Sequence, residues 1–155
     1  MEVTCTPAAC AQAGKEPGIT VHLYDERDRL TRIQYPDGRW IEYSYDVVGN
    51  RTELRTANQR TQYSFDVLNR MNTVTAWVNS HCSQGDTITY SYNEVGSRRL
   101  VEHANGTVTE YQYDQLNRLT LPRTWDAQAN LIQRQQFHLG AAGHREMVVE
   151  YPPSV

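Results

Sequence analysis

The sequence predicts an all-β fold, an array of antiparallel β-hairpins about six repeats long that forms a curved sheet. Two observations carry that expectation. A tyrosine–aspartate unit returns along the chain with its Asp slot at positions 25, 46, 66, 93, 114 and 140, in steps of 21, 20, 27, 21 and 26 residues. A period in that range across most of a chain marks a repeat architecture. Between the copies, apolar and polar residues alternate with period two and no 3.6-residue apolar pattern persists. Strands are therefore expected, and almost no helix.

Each copy justifies itself in turn. The first is degraded, Tyr24-Asp25 followed by Arg29. The cleanest runs Tyr43-Ser44-Tyr45-Asp46-Val47-Val48-Gly49-Asn50-Arg51, and the next reads Tyr63-Ser64-Phe65-Asp66 and on to Asn69-Arg70. Tyr90-Ser91-Tyr92-Asn93 then leads to Gly96 and Arg98, and Tyr111-Gln112-Tyr113-Asp114 to Asn117-Arg118. A degraded closing copy spans Phe137 to Gly143-His144-Arg145. Residues 1–18 carry Pro7, Gly14, Pro17 and Gly18 among small residues and read as a flexible lead-in. Residues 147–155 read as a C-terminal tail, which leaves 19–146 as the repeat module.

Within a copy, an incoming strand ends in the aromatic pair, a turn begins at the Asp slot, and an outgoing strand follows. Ile41, Tyr43 and Tyr45 share one face against Trp40, Glu42 and Ser44 on the other. Ile88, Tyr90 and Tyr92, and then Thr109, Tyr111 and Tyr113, repeat the pattern, so cross-strand pairing is expected to build a tyrosine ladder. Three places after the Asp slot stand Asp28, Gly49, Asn69, Gly96, Asn117 and Gly143, all residues that tolerate a left-handed backbone. Second turns are expected at Pro36-Asp37-Gly38, Ala57-Asn58-Gln59 and Ala104-Asn105-Gly106. The two long steps are read as loop insertions at Asn79 to Asp86 and Asp126 to Asn130.

Composition narrows the function classes. The 155 residues have a net charge of −3 and Lys15 is the only lysine, which gives no electrostatic case for nucleic acid. Apolar residues make up 39% and tyrosines number 10 against 2 Phe and 3 Trp. With a mean hydropathy of −0.69, a half-wet sheet fits better than a large dry core. No stretch approaches a membrane span, and Met1 to Gly14 shows no signal peptide. Cys5, Cys10 and Cys82 do not form a disulfide framework.

The search for chemistry gives no catalytic, cofactor-binding or metal residues. Asp25, Asp46, Asp66 and Asp114 offer carboxylates, but an Asp at a fixed turn position is foremost a turn-former. Arg29, Arg51, Arg70, Arg98, Arg118 and Arg145 are placed to pair with a neighbouring Asp or to stack on tyrosine. His22, His81, His103, His138 and His144 lack metal-ligand spacing, and His81-Cys82 is adjacent without being a catalytic pair. Asn50-Arg51-Thr52 and Asn105-Gly106-Thr107 match glycosylation acceptors that matter only in a eukaryotic secretory route. Trp40, Trp77 and Trp125 either cover the sheet's second face or stack on sugar rings.

The unit Tyr-x-Tyr-Asp-x-x-Gly-Asn-Arg, or Tyr-x-Tyr-Asp-x-Leu-Asn-Arg, resembles the YD repeat, also called the RHS repeat, over residues 19 to 146. In that family long arrays form a β-strip that spirals into a hollow shell, as in Rhs polymorphic toxins, Tc toxin C-components, wall-associated proteins and teneurins. The shell commonly encloses a C-terminal toxin domain. Departures are Phe65 for the second Tyr, Asn93 for Asp, Leu139-Gly140 for Tyr-Asp, and the lack of the Asp-Pro-x-Gly closing segment with its aspartyl autoprotease. The fold of the unit therefore carries over, and enclosure and self-cleavage do not.

The resemblance implies a non-enzymatic structural module of a bacterial Rhs-type toxin or secreted surface protein, cytoplasmic before export. The expected partners are other YD repeats or a flanking toxin polypeptide, with open sheet edges that invite homo-oligomerisation. The second reading is a stand-alone binding module, which takes carbohydrate or a surface through its Tyr/Trp face or serves a toxin as an immunity or chaperone-like partner.

Overall fold

The structure is a computed structural model that describes residues 18–78 and 84–151. Cys5, Cys10, His81, Cys82 and most of the expected lead-in lie outside the described residues. Among the described residues there is no helix, and twelve strands follow in chain order. They are β1 (Val21–Tyr24), β2 (Leu30–Gln34), β3 (Trp40–Tyr45), β4 (Arg51–Arg55), β5 (Arg60–Phe65) and β6 (Met71–Trp77). Then come β7 (Asp86–Tyr92), β8 (Arg98–Glu102), β9 (Val108–Tyr113), β10 (Leu119–Trp125), β11 (Leu131–Leu139) and β12 (Arg145–Tyr151). The spatial order of the strands is the chain order, β1 to β12.

Two compact units divide the described residues, one of 18–61 with Trp77 and Val78, the other of 62–76 with 84–151. In the first, β1, β2, β3 and β4 pair antiparallel in succession. In the second, antiparallel ladders run from β6 to β12. The β10–β11 ladder begins at Arg123, one residue past Pro122, which has no N–H to give.

Among the described residues nine turns share one construction. The first residue's N–H bonds the carbonyl four places on, and the fourth residue's N–H bonds back to the first carbonyl; Asp66 N to Arg70 O is 2.8 Å and Asn69 N to Asp66 O is 2.9 Å. The fourth residue then takes a left-handed backbone, at φ 57° for Asp28, 104° for Gly49, 64° for Asn69, 90° for Gly96, 59° for Asn117 and 84° for Gly143. Those are the six positions expected from sequence. Gly38, Gly106 and Ala129 do the same in the second turns. Such a turn adds one residue to a strand, and the register slips beside it, as between Ser44 and Tyr45 or Ser91 and Tyr92.

Three expectations need correction. The Asp126–Asn130 segment is not a loop insertion but another five-residue turn. The 26-residue step comes mainly from its strands, seven residues in β10 and nine in β11 against five in β4 and six in β5. The tyrosine ladder is not built by direct pairing, because an outgoing strand always separates two incoming ones. Tyr43 faces Leu54, Tyr90 faces Val101 and Tyr111 faces Pro122. The sheet also runs on past residue 146, where the sequence reading starts a tail, to the end of β12 at Tyr151. Of the other long spacer, Asn79 to Ser83 lie outside the described residues.

Burial is shallow. Val101 and Phe137 are the buried hydrophobic residues among those described, and no polar side chain is buried. Cross-strand contacts on a half-wet sheet take the place of a core, including hydroxyl pairs Ser64–Thr73, Thr75–Thr87 and Thr109–Thr124 at 2.6, 2.9 and 3.1 Å.

The turn construction gives a test in two directions. At Ala129 the side chain sits at φ 63°, which Asn tolerates better. Ala129→Asn is expected to raise the free energy of unfolding by about 0.5–1 kcal/mol. At Gly49 nothing lies within 4 Å of an added Cβ, so Gly49→Ala meets only backbone strain and should cost about 1 kcal/mol. Urea unfolding followed by circular dichroism reads both.

Candidate functional site

The residues singled out by the repeat converge on a clasp at each Asp-slot turn. An ionised carboxylate only accepts hydrogen bonds, and a turn of this kind leaves several N–H groups aimed inward. In the first copy Asp25 Oδ1 takes the N–H of Arg27 at 2.9 Å and of Arg29 at 3.0 Å, while Oδ2 takes Arg29 Nε at 2.8 Å. Asp66 does the same with Leu68, Arg70 and the Arg70 guanidinium, and Asp114 with Leu116, Arg118 and the Arg118 guanidinium. Asp46 accepts from the N–H groups of Val48, Gly49 and Asn50 and from the Asn50 amide. Asn93 keeps a single such bond, to the N–H of Ser97 at 2.8 Å, and Gly140 has no side chain to give.

The six motif arginines divide into two sets. Arg29, Arg70 and Arg118 stand four places after the slot and grip its carboxylate. Where Gly fills the left-handed position, Asn50, Ser97 or His144 takes that fourth place and the arginine moves one residue on. Successive strand residues face opposite sides, so the partner changes. Arg51 lies over the Tyr43 ring at 5.8 Å, Arg98 over Tyr111 at 5.3 Å and Arg145 over Phe137 at 3.8 Å. One inserted residue thus decides whether the arginine takes the fourth place and grips the slot carboxylate.

The clasp also reaches the next repeat. Arg29 Nη1 donates to Asp46 O at 2.9 Å and its guanidinium sits 4.7 Å over the Tyr45 ring. Tyr45 answers by donating its hydroxyl to Leu30 O at 2.8 Å. Arg70 lies 4.5 Å over Tyr92, whose hydroxyl donates to Met71 O at 2.7 Å. Tyr113 donates to Arg98 O at 2.7 Å, and Arg118 Nη1 to Gly140 O at 3.1 Å. In each case the tyrosine before one Asp slot caps the carbonyl five places after the preceding slot. Phe65, in β5, has no hydroxyl for that bond. Tyr24 ends β1, and Tyr63 and Tyr90 lie within β5 and β7.

Sequence reasoning missed two features. Asp126 forms a full clasp on a second turn, with the N–H groups of Gln128 and Asn130 and the Asn130 amide, and the signal was present as Asp-x-x-x-Asn, the spacing of Asp46 and Asn50. On the other face each tryptophan lies under an arginine that holds a glutamate. These sets are Arg32 with Trp40 and Glu42, Arg60 with Trp77 and Glu53, and Arg123 with Trp125 and Glu110.

The carboxylates are held acidic. Backbone N–H bonds from Arg29 and Arg118 chiefly lower Asp25 and Asp114, and the side chains of Arg70 and Asn130 chiefly lower Asp66 and Asp126. At Asp46 partial burial pushes upward, but the Asn50 amide and three N–H groups outweigh it. A group poised for proton transfer near neutral pH would be shifted the other way. Among the described residues no three His, Cys, Asp or Glu side chains gather as a metal site.

Two predictions follow from this geometry. Folded carboxyls more acidic than the unfolded value of 3.8 contribute stability above that pH and lose it as pH falls through their folded values. The urea midpoint should stay level from pH 7 to about pH 5 and drop from about pH 4 downward. Asp66→Asn should lower it at pH 7 and flatten the drop. Separately, Tyr92→Phe removes one hydroxyl bond and should cost about 1 kcal/mol.

Comparison with known proteins agrees with this unit. Residues 24–61 match the family described as RHS Repeat. None of the curated proteins matches the chain. Among solved structures, the crystal structure of TcdB2-TccC3-TEV is similar with a TM-score of 0.72 at 14% identity over 83% of this chain. The crystal structure of TcdB2-TccC3-Cdc42 gives 0.71 at 15% identity over 89%. The Photorhabdus luminescens Tc holotoxin pore with mutation TccC3-D651A gives 0.69, also at 15% over 89%. This chain spans 7% of the length of each of those chains. At such identity the likeness is one of fold. The family match thus covers the first two Asp-slot turns, at Asp25 and Asp46.

Proposed function

We propose that the chain is a non-enzymatic length of wall in a bacterial RHS-type toxin or secreted surface protein, which encloses or presents a polypeptide. The observation that carries this reading is the tie from one repeat to the next, Arg29 to Asp46 O with Tyr45 back to Leu30 O. Polar groups that an enzyme would keep available are occupied in joining neighbours. One of the solved structures with this fold is named as a Tc holotoxin pore, which supports the same setting. Its partners on this reading are further repeats and the flanking polypeptide, and it is made in the cytoplasm and exported within a larger protein. Among the described residues no helix is long and apolar enough to cross a membrane.

The carbohydrate reading has less support. Arginines lie 5.4, 5.1 and 5.3 Å over Trp40, Trp77 and Trp125, so one side of each ring is already occupied.

Limited proteolysis of the full gene product tests the wall. The polypeptide that flanks the repeats is expected to resist protease until the sheet melts, with both transitions at one temperature. Digestion of that polypeptide while the sheet keeps its circular dichroism would overturn the reading. A saturable quench of tryptophan fluorescence by a glycan would favour the carbohydrate alternative.

A further inference from the structure

We infer that Arg123 and Arg134, side by side on β10 and β11, receive a carboxylate from outside the sheet, an Asp or Glu side chain of the polypeptide that the wall encloses or presents. The inference rests on the wall reading and names the chemistry by which such a wall holds its polypeptide.

The cross-strand register puts four residues in one row on the face of the Trp–Arg–Glu sets. Glu110 stands opposite Arg123, Arg123 opposite Arg134, and Arg134 opposite Tyr151. Glu110 holds Arg123. The row therefore carries two guanidiniums and one carboxylate, and like charges directly opposite each other destabilise a sheet. Neither β10 nor β11 contains an acidic residue. Glu150 of β12 lies on the other face, where it accepts from the Gln135 amide at 2.9 Å.

The attitude of Arg134 shows what it lacks. Arg32, Arg123 and Arg134 lie over the rings of Trp40, Trp125 and Tyr151 at 5.4, 5.3 and 4.3 Å. In all three Nε is shut in without a hydrogen-bond acceptor, so the Nη end is what remains to bind. Arg32 uses it on Glu42 and Arg123 on Glu110. Arg134 meets no acceptor or carboxylate among the described residues. Arg98 and Arg145 also stack without a carboxylate, but they face Tyr92 and Leu139 rather than a second cation. At Arg134 the chain's own arrangement, a ring against the guanidinium and a glutamate at its Nη end, is one carboxylate short.

A visiting carboxylate finds further donors there. Arg123 gives one Nη to Glu110 and keeps the other. Gln136, two places along β11 on the same face, gives its Oε1 to the Tyr151 hydroxyl at 3.2 Å, which leaves its NH2 to donate. Two planar forks can hold both oxygens of one carboxylate, whose charge also relieves their mutual repulsion. A polyanion such as nucleic acid fits less well, because Glu110 borders the row and the net charge of the chain is −3.

The test titrates the isotope-labelled chain with N-acetylglutamate amide, a capped glutamate, and follows the arginine Nε–H signals by NMR. Those of Arg123 and Arg134 should shift saturably, and capped glutamine should shift neither. Arg134→Gln should weaken binding about 10-fold as read at Arg123. Arg99→Gln, at an exposed arginine of β8, should leave it unchanged. Circular dichroism checks that both variants keep the sheet, and the titration of the unaltered chain stands without them. In the full gene product, p-benzoylphenylalanine in place of exposed Gln112, on the same face as Glu110, should cross-link a segment of the flanking polypeptide that holds Asp or Glu. Arg134→Gln should abolish that cross-link. Equal shifts with capped glutamine, or binding that survives Arg134→Gln, overturn the inference. A capped glutamate that binds while a protease-resistant flanking polypeptide gives no cross-link assigns the site to a free carboxylate and overturns the polypeptide as its occupant. Loss of protease resistance overturns the wall instead, so the two readings fail separately.

Discussion

The carboxylate at the start of each turn is the interaction on which the rest of the sheet depends. A five-residue turn with a left-handed fourth residue turns its N–H groups inward, and without acceptors they would compete for water and loosen the hairpin. Asp46 takes three of them with one oxygen and the Asn50 amide with the other. With arginine in that last place, the same second oxygen fixes a guanidinium, which can then reach the following repeat. A turn-former thus becomes a link between repeats. Because the clasp is rigid, the guanidinium is already in position before it meets Tyr45, and little rotamer freedom is lost when it stacks.

This arrangement explains how a sheet with so little buried surface holds together. Burial of apolar area gives most domains their stability, but Val101 and Phe137 are the buried hydrophobic residues described here. The stabilising contacts are instead local and repeated: a turn clasp, a tyrosine hydroxyl on a carbonyl, an arginine over a ring. Each is worth little; a cation–π contact at a half-exposed site contributes about 0.5–1 kcal/mol. Repeat proteins sum such nearest-neighbour terms, and their stability grows with the number of junctions rather than with a central core.

What could be read from sequence was what one residue decides alone. The left-handed positions were legible because only Gly, Asn and Asp tolerate them readily, and Asp28, Asn69 and Gly143 each announced one. Ala129 gave no such signal, so the turn at Asp126 passed for an insertion although its Asp-x-x-x-Asn spacing was in view. The arginine partners were not legible, because they depend on which face a residue reaches. Arg70 and Arg98 follow similar motifs and both lie over a ring, yet the first, one residue nearer its slot, also grips a carboxylate. The Trp–Arg–Glu sets were hidden for a related reason: Trp40 and Arg32 come together only through the register of β2 on β3.

The imperfect copies show why a motif of this kind can drift without loss of the fold. A junction is made of several weak bonds, and no single one is indispensable to the strand pairing itself. Asn93 gives up all but one of the carboxylate's bonds, and the turn still closes through its backbone at 2.8 Å. Ser97 replaces the arginine there, and a hydroxyl-to-amide bond with Asn117 takes over the reach to the next repeat while Tyr113 still caps Arg98 O. At Gly140 the side chain is gone altogether, but its carbonyl remains, and that is the atom which Arg118 needs. The backbone sets where repeats meet and the side chains set how firmly. A copy can therefore lose its tyrosine or its aspartate before it loses its place in the sheet.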